Sequence, residues 1–250
     1  MDVSAYLDRI GYRGSLAPSP ATLQALQEAH LLRVPFENLS IHAGQPIVLD
    51  LDALFDKVVT RRRGGFCYEL NGLFAALLRT LGFEVALLSA GVARGDGSFG
   101  PEFDHLTLAI HLEERRLVDV GFGDSFRRPL RLDAREEQVE GERSYRLDAE
   151  EDRLVLRQRK DAEGPWEAQY RFTLQPHELA EYAAMCRHHQ TSPESPFTRK
   201  RLCSLALPDG RLTLSDGTLL TTRGGVREER MLADEAEQAR VLRERFGVVV

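Results

Sequence analysis

Only three cysteines occur in 250 residues, Cys67, Cys186 and Cys203; they are an odd number, widely spaced, and none forms a C-x-x-C pair. That scarcity argues against a disulfide framework and leaves no thiolate set for structural zinc. No apolar run reaches the ~20 residues that a membrane-spanning helix needs, and the chain has no internal repeat or low-complexity tract. Positive charge is not in excess either. The net charge is −6, whereas a general nucleic-acid binder is strongly basic. The first residues, Met1-Asp2-Val3-Ser4, are acidic where a secretory signal is basic, so the expected address is the cytoplasm. The adjacent pair His188-His189 lacks a further carboxylate or thiolate at ligand spacing, so no metal is expected.

What is present points to a soluble globular protein. With 42% apolar and 29% charged residues in 28.2 kDa, the chain can bury a large core, as one domain or two to three small ones packed together. Basic side chains gather at Arg61-Arg62-Arg63 and Arg127-Arg128. These are either solvated surface charge or a local site for an anionic ligand such as a phosphorylated cofactor.

The first ninety residues have helical periodicity. Ser19-Pro20-Ala21-Thr22-Leu23 reads as a helix start, a proline loop follows at 34–39, and Asp50-Leu51-Asp52-Ala53-Leu54 opens another helix with acidic residues in its first turn. Next, Leu70, Phe74, Leu77, Leu78 and Leu81 form one apolar stripe that stops at Gly82. After residue 83 the period moves to two, with strands expected over 83–92, 105–112, 116–122, 144–147, 154–159 and 169–174. A short helix is expected from 173–178 through Met185. Strands at 201–207, 211–214 and 218–222 and a closing helix over 234–245 complete the reading.

The chemistry-bearing segment is Arg63-Gly64-Gly65-Phe66-Cys67-Tyr68-Glu69-Leu70-Asn71-Gly72, where two glycines lead into the first turn of a helix with Cys67 at its start. First-turn amides have no intrahelical acceptors and carry the positive end of the helix dipole, so they favour a thiolate. A cysteine nucleophile also needs a base and a group to orient that base. His105 opens the apolar strand Leu106-Thr107-Leu108-Ala109-Ile110. Asp119 lies within Leu117-Val118-Asp119-Val120-Gly121-Phe122-Gly123, where burial demands a partner. A tight hairpin turning at 113–115 sets residue 105 opposite 123 and separates it from Asp119 by four positions, about 13 Å along the strand. On that geometry the hairpin is irregular or has a longer loop, or the orienter is Asp104 or Asp124.

The segment Arg63-Gly64-Gly65-Phe66-Cys67-Tyr68-Glu69-Leu70-Asn71 resembles the arylamine N-acetyltransferases. So do Val34-Pro35-Phe36-Glu37-Asn38-Leu39 before it, His105 and Asp119-Val120-Gly121-Phe122-Gly123 after it, and Thr191-Ser192-Pro193-Glu194-Ser195-Pro196-Phe197 further on. The motifs run in order over nearly the whole chain. The resemblance implies an α+β fold in three parts: a helical bundle over residues 1–90, a β-barrel over 91–185 and an α/β lid over 186–250, around a papain-like Cys-His-Asp core. It implies Cys67, His105 and Asp119 as the triad and acetyl-coenzyme A as co-substrate, without a metal. Gly121, Phe122 and Gly123 would lie near the pantetheine arm, and Phe36, Val92, Phe122 and Phe197 would line a pocket for an arylamine or arylhydrazine. Arg63, Glu37 and Asn71 would be structural. The implied activity is ping-pong acetyl transfer through a Cys67 thioester. An amide synthase that closes a polyketide macrolactam and a papain- or transglutaminase-like hydrolase are the alternatives.

Overall fold

Side-chain caps set the early helices of the computed structural model, which describes residues 1–249. Asp2 accepts the Ala5 N–H at 3.0 Å to start α1 (Val3–Ile10), and Gly11, at φ +69°, ends it. Ser19 caps α2 (Pro20–Leu31), whose first residue is the expected proline. The loop expected at 34–39 contains a two-residue strand, β1 (Phe36–Glu37), followed by a short helix, α3 (Leu39–His42). Asp50 caps α4 (Leu51–Phe55), which continues into a π-helical turn at Asp56–Thr60. The cysteine begins α5 (Cys67–Thr80), and Gly82 stops it at φ +90°.

An antiparallel sheet of eight strands follows: β2 (Glu84–Val92), β3 (His105–His111), β4 (Arg116–Val118), β5 (Leu130–Arg131), β6 (Gln138–Glu140), β7 (Arg143–Glu150), β8 (Arg153–Arg159) and β9 (Glu167–His177). Their spatial order is β5-β4-β3-β2-β9-β8-β7-β6, and the sheet curls into a barrel. Its two edge strands meet through one side chain: Gln138 of β6 accepts the Arg131 N–H of β5 at 2.7 Å and donates to the Arg131 carbonyl at 3.1 Å. The barrel interior holds Leu117, Leu130, Tyr145, Leu156, Tyr170 and Phe172. Strand β3 is buried on both faces. Leu106, Leu108 and Ile110 pack on α5 in the helical core, and Ala109 faces the barrel, which explains its nearly continuous apolar run.

The last part pairs β10 (Leu202–Leu207), β11 (Gly210–Ser215), β12 (Thr218–Arg223) and β13 (Val226–Met231) in a meander, with β1 added antiparallel to β10. Helix α6 (Ala183–Thr191) and the short α7 (Pro196–Arg199) precede it, and α8 (Glu235–Phe246) packs Val241, Leu242 and Phe246 on Leu205, Leu212 and Leu214.

Three readings change. The strand expected over 116–122 ends at Val118, which releases residues 119–123 to form a loop. The helix expected from 173–178 begins later, because β9 runs through Pro176 to His177; a 3-10 turn at Leu179–Tyr182 intervenes before α6. Beyond Phe172, β9 has lost its β8 partner, so a residue without an N–H costs little there. Strand β13 has every residue exposed and therefore carries no alternation to read.

Candidate active site

Chain entry into α5 is built on close backbone packing. A Cβ on Gly64 would lie 2.0 Å from the Pro35 carbonyl oxygen, and one on Gly65 would lie 2.7 Å from Glu69 Oε2. Glu69 Oε2 accepts the Phe66 N–H at 3.1 Å, satisfying one orphan donor at the helix start. Its other oxygen takes Lys57 Nζ at 2.8 Å. Glu37 of β1 binds Arg63 through Nη2 at 2.9 Å and Nε at 3.1 Å, and its second oxygen accepts the Leu39 N–H at 2.7 Å. All four charged side chains are buried. Removing one partner of such a pair typically costs about 3–5 kcal/mol, because a buried charge is left uncompensated. This cluster holds the loop that delivers Cys67.

The basic runs are mostly spent on structure. Arg63 is inside the cluster, and Arg61 pairs with Asp56 on the surface. Arg127 donates to the carbonyls of Leu207, Pro208 and Gly210, tying the barrel to the last sheet.

His105 Nε2 lies 2.7 Å from Asp119 Oδ2. Pairing of Leu108 with Val118 and Ile110 with Arg116 places residue 105 in register with 121, not 123, because the turn is longer than three residues. The two-residue shift keeps every side chain on its face and brings Asp119 within reach. Asp119 Oδ1 accepts the Asn71 Nδ2–H at 2.9 Å and the Gly121 N–H at 2.9 Å. Asn71 also donates to the Leu106 carbonyl at 2.7 Å and accepts the Val120 N–H at 2.9 Å. It lies four residues after Cys67, on the same face of α5, and so locks the aspartate loop to the cysteine helix. The other candidate orienters are engaged elsewhere: Asp104 with His189 and Asp124 with Arg143 and Arg211.

Tyr68, the residue after the cysteine, donates its hydroxyl to the carbonyls of Phe103 at 2.6 Å and Asp104 at 3.1 Å, fixing the turn that leads to His105. Tyr170 packs against the imidazole, with ring centroids 5.1 Å apart, and its hydroxyl meets Thr107 at 3.2 Å. Sequence reasoning missed both tyrosines. Only the position of Tyr68 beside Cys67 could have signalled one of them.

Electrostatics separates the acid from the thiol. Burial alone would raise the Asp119 pKa, yet the His105 imidazole and the Asn71 and Gly121 donors outweigh it, so the carboxyl lies below its usual range. For Cys67, burial dominates and pushes the thiol well above its ordinary pKa, the Leu106 backbone hydrogen bond works against that rise, and the Asp119 charge adds to it. Burial thus works against the stabilisation that the helix start gives a thiolate. Ionisation there requires a proton acceptor.

Cys67 and His105 open onto one cleft of about 770 Å³, together with Phe36, Val92, Gly121, Phe122 and Phe197. Phe122 meets the imidazole edge-on at 5.2 Å, and Phe197 lies 5.6 Å from Phe66 and 6.2 Å from Phe36. The glycines flanking Phe122 serve the protein itself. A Cβ on Gly121 would lie 2.7 Å from Cys67 Cα, and Gly123 adopts φ +93°. Phe36 and Phe122 also border an adjoining groove of about 1080 Å³, which includes Gly123 and the basic residues Arg128, Arg143, Lys160, Arg211 and Arg227.

A cysteine at a helix start, packed on a barrel that presents a hydrogen-bonded histidine and aspartate, defines an α+β class of protein with a thiol, an imidazole and a carboxylate gathered where helix meets barrel. Comparison with known proteins narrows the class. The N-acetyltransferase family model matches residues 20–250. Arylamine N-acetyltransferase of Mycolicibacterium smegmatis is 36% identical, covering 99% of this chain and 92% of its own length. Human arylamine N-acetyltransferase 1 is 35% identical, with 99% and 94% covered. The solved structure of Mycobacterium marinum arylamine N-acetyltransferase in complex with CoA superposes with a TM-score of 0.91 at 35% identity, covering 99% of this chain and 93% of that one. The chain belongs to the arylamine N-acetyltransferase family.

Proposed function

We propose that the protein moves an acetyl group from acetyl-coenzyme A to an arylamine or arylhydrazine through a thioester on Cys67. The observation that carries this reading is the 2.7 Å His105–Asp119 bond at the wall of an aromatic cleft that Cys67 shares. With Nε2 engaged by Asp119, His105 has Nδ1 left for the thiol. The imidazole takes the thiol proton as sulfur attacks the thioester carbonyl, and Asp119 stabilises the imidazolium. The Cys67 backbone N–H, at the first turn of α5, is suited to the developing oxyanion. Coenzyme A then leaves with the proton from His105. One thioester replaces another, so the step is close to thermoneutral and the acetyl-enzyme persists. The acceptor nitrogen attacks the acetyl carbonyl, gives its proton to His105, and the Cys67 sulfur departs.

The pantetheine arm would pass Phe36 and Phe122, with the phosphates in the groove beyond, whose lining carries six basic and five acidic side chains. The aromatic slot suits a planar ring and not a nucleic acid or a lipid. Acetyl-coenzyme A is an intracellular metabolite, which supports a cytoplasmic location; no helix among the described residues is long and apolar enough to cross a membrane. The same reading divides the chain at residues 1–90, 91–185 and 186–250.

Intact-mass analysis after mixing with acetyl-coenzyme A tests the proposal. The native protein gains one acetyl group and Cys67→Ala gains none. An unlabelled native protein, or a labelled Cys67→Ala, overturns it.

A further inference from the structure

The adjacent histidines 188 and 189 have no part in the acyl-transfer scheme, yet both line the same cleft. His189 is 5% exposed and both its ring nitrogens are engaged. Nε2 lies 3.2 Å from Asp104 Oδ1 and 3.3 Å from the Asp104 carbonyl, and Nδ1 lies 3.3 Å from Ser195 Oγ. Asp104 Oδ2 accepts the Val92 N–H at 3.1 Å. Gly100 leaves the room for this carboxylate, since a Cβ there would lie 2.0 Å from Oδ2. The His189 ring stacks on Tyr68 at 6.1 Å and receives Phe197 edge-on at 5.1 Å and 87°. One imidazole–carboxylate pair thus joins the end of β2, the turn before His105 and the α6–α7 segment. These elements carry Val92 and Phe197, two residues that line the cleft.

Resting on the acyl-transfer reading of the cleft, we propose that His189 and Asp104 form a second imidazole–carboxylate pair that determines acceptor specificity. The pair holds the Val92 and Phe197 walls at the width of one planar aromatic ring. It is a positioning device, because neither nitrogen of His189 is free for the reacting atoms. Val92 is fixed through its backbone, and Phe197 is held by its contacts with His189, Phe66 and Phe36. A flat amine therefore enters a slot that is already formed, and a bulky or flexible one must open it.

The test separates the two half-reactions in His189→Leu and His189→Gln. In His189→Leu the Asp104 carboxylate loses its imidazole partner and keeps the Val92 N–H. The KM for 4-chloroaniline rises about tenfold, the preference for it over a branched alkylhydrazine falls about tenfold, and the burst of coenzyme A from acetyl-coenzyme A changes less than about threefold. His189→Gln, whose amide can still donate to Asp104, recovers most of the preference. Titration of 4-chloroaniline into Cys67→Ala with and without His189→Leu reads acceptor affinity with no acyl transfer, and the same weakening is expected. Equal losses in both half-reactions, no recovery in His189→Gln, or unchanged affinity in the Cys67→Ala background overturns the proposal. Absence of acetylation in the native protein would overturn the acyl-transfer reading instead, while the titration would still report on the slot.

Discussion

Asn71→Ala removes the side chain that joins the cysteine helix α5, strand β3 and the aspartate loop. The native amide makes three buried hydrogen bonds, to Asp119 Oδ1, the Leu106 carbonyl and the Val120 N–H. Alanine leaves those partners without water to replace it. A net bond is worth about 1 kcal/mol, one to a charged group about 1.5–3 kcal/mol, and stranded partners add their desolvation, so a loss of about 3–5 kcal/mol is expected. For a chain of this size that lowers the melting temperature by about 6–20 °C.

Asp119 also loses one of the donors that hold its pKa down, so its carboxyl rises toward its ordinary value. An acid with a depressed folded pKa contributes stability above its unfolded value of about 3.9, and that stability is lost as the pH falls through the folded value. The acid limb contributed by Asp119 therefore moves to higher pH in the variant. With its orienter loosened, His105 accepts the thiol proton less well, and acetylation of Cys67 slows about ten- to hundredfold per folded molecule. Calorimetric melting between pH 3 and 8 and stopped-flow release of coenzyme A measure both effects. A melting temperature within about 2 °C of native, together with an unchanged acetylation rate, would refute the argument.

Two further substitutions probe the scaffold. His30 is fully buried against Tyr6 and Phe74, and burial lowers its pKa to about 3, so the unfolded chain binds its proton first. The stability it contributes is complete above pH ~6.5 and is lost by up to about 5 kcal/mol as the pH falls toward 3; urea midpoints should fall across that window in the native protein and flatten in His30→Gln. Gly121→Ala places a methyl group 2.7 Å from Cys67 Cα and should cost about 1–3 kcal/mol and slow acetylation at least tenfold; native-like kinetics would mean that the loop has room to move.

The sequence made the fold legible where periodicity and caps agreed. Ser19-Pro20, Asp50 and the leucine stripe ending at Gly82 appear as read. It was illegible where burial is absent or doubled. The exposed β13 has no alternating face, and Phe36–Glu37 is a strand because β10 and Gly65, both distant in the chain, lie beside it. At the site, Cys67, His105 and Asp119 carried local signals. The bond between the last two did not, since a longer turn changed the register by two. Nor did the thiol's ionisation, because burial is a property of the assembled interior and not of the helix start. Asn71 could be named from its motif, but its three bonds depend on contacts 35 to 49 positions away in the chain.

Because the aspartate loop is tied to α5 through Asn71, the cysteine helix and the His105–Asp119 pair come to line one cleft only when helix and barrel have docked. A nascent or partly unfolded chain then carries an ordinary cysteine with no imidazole assigned to it. On the proposed chemistry, the protein cannot acylate itself, or misdirect acyl groups to bystanders, before its architecture is complete.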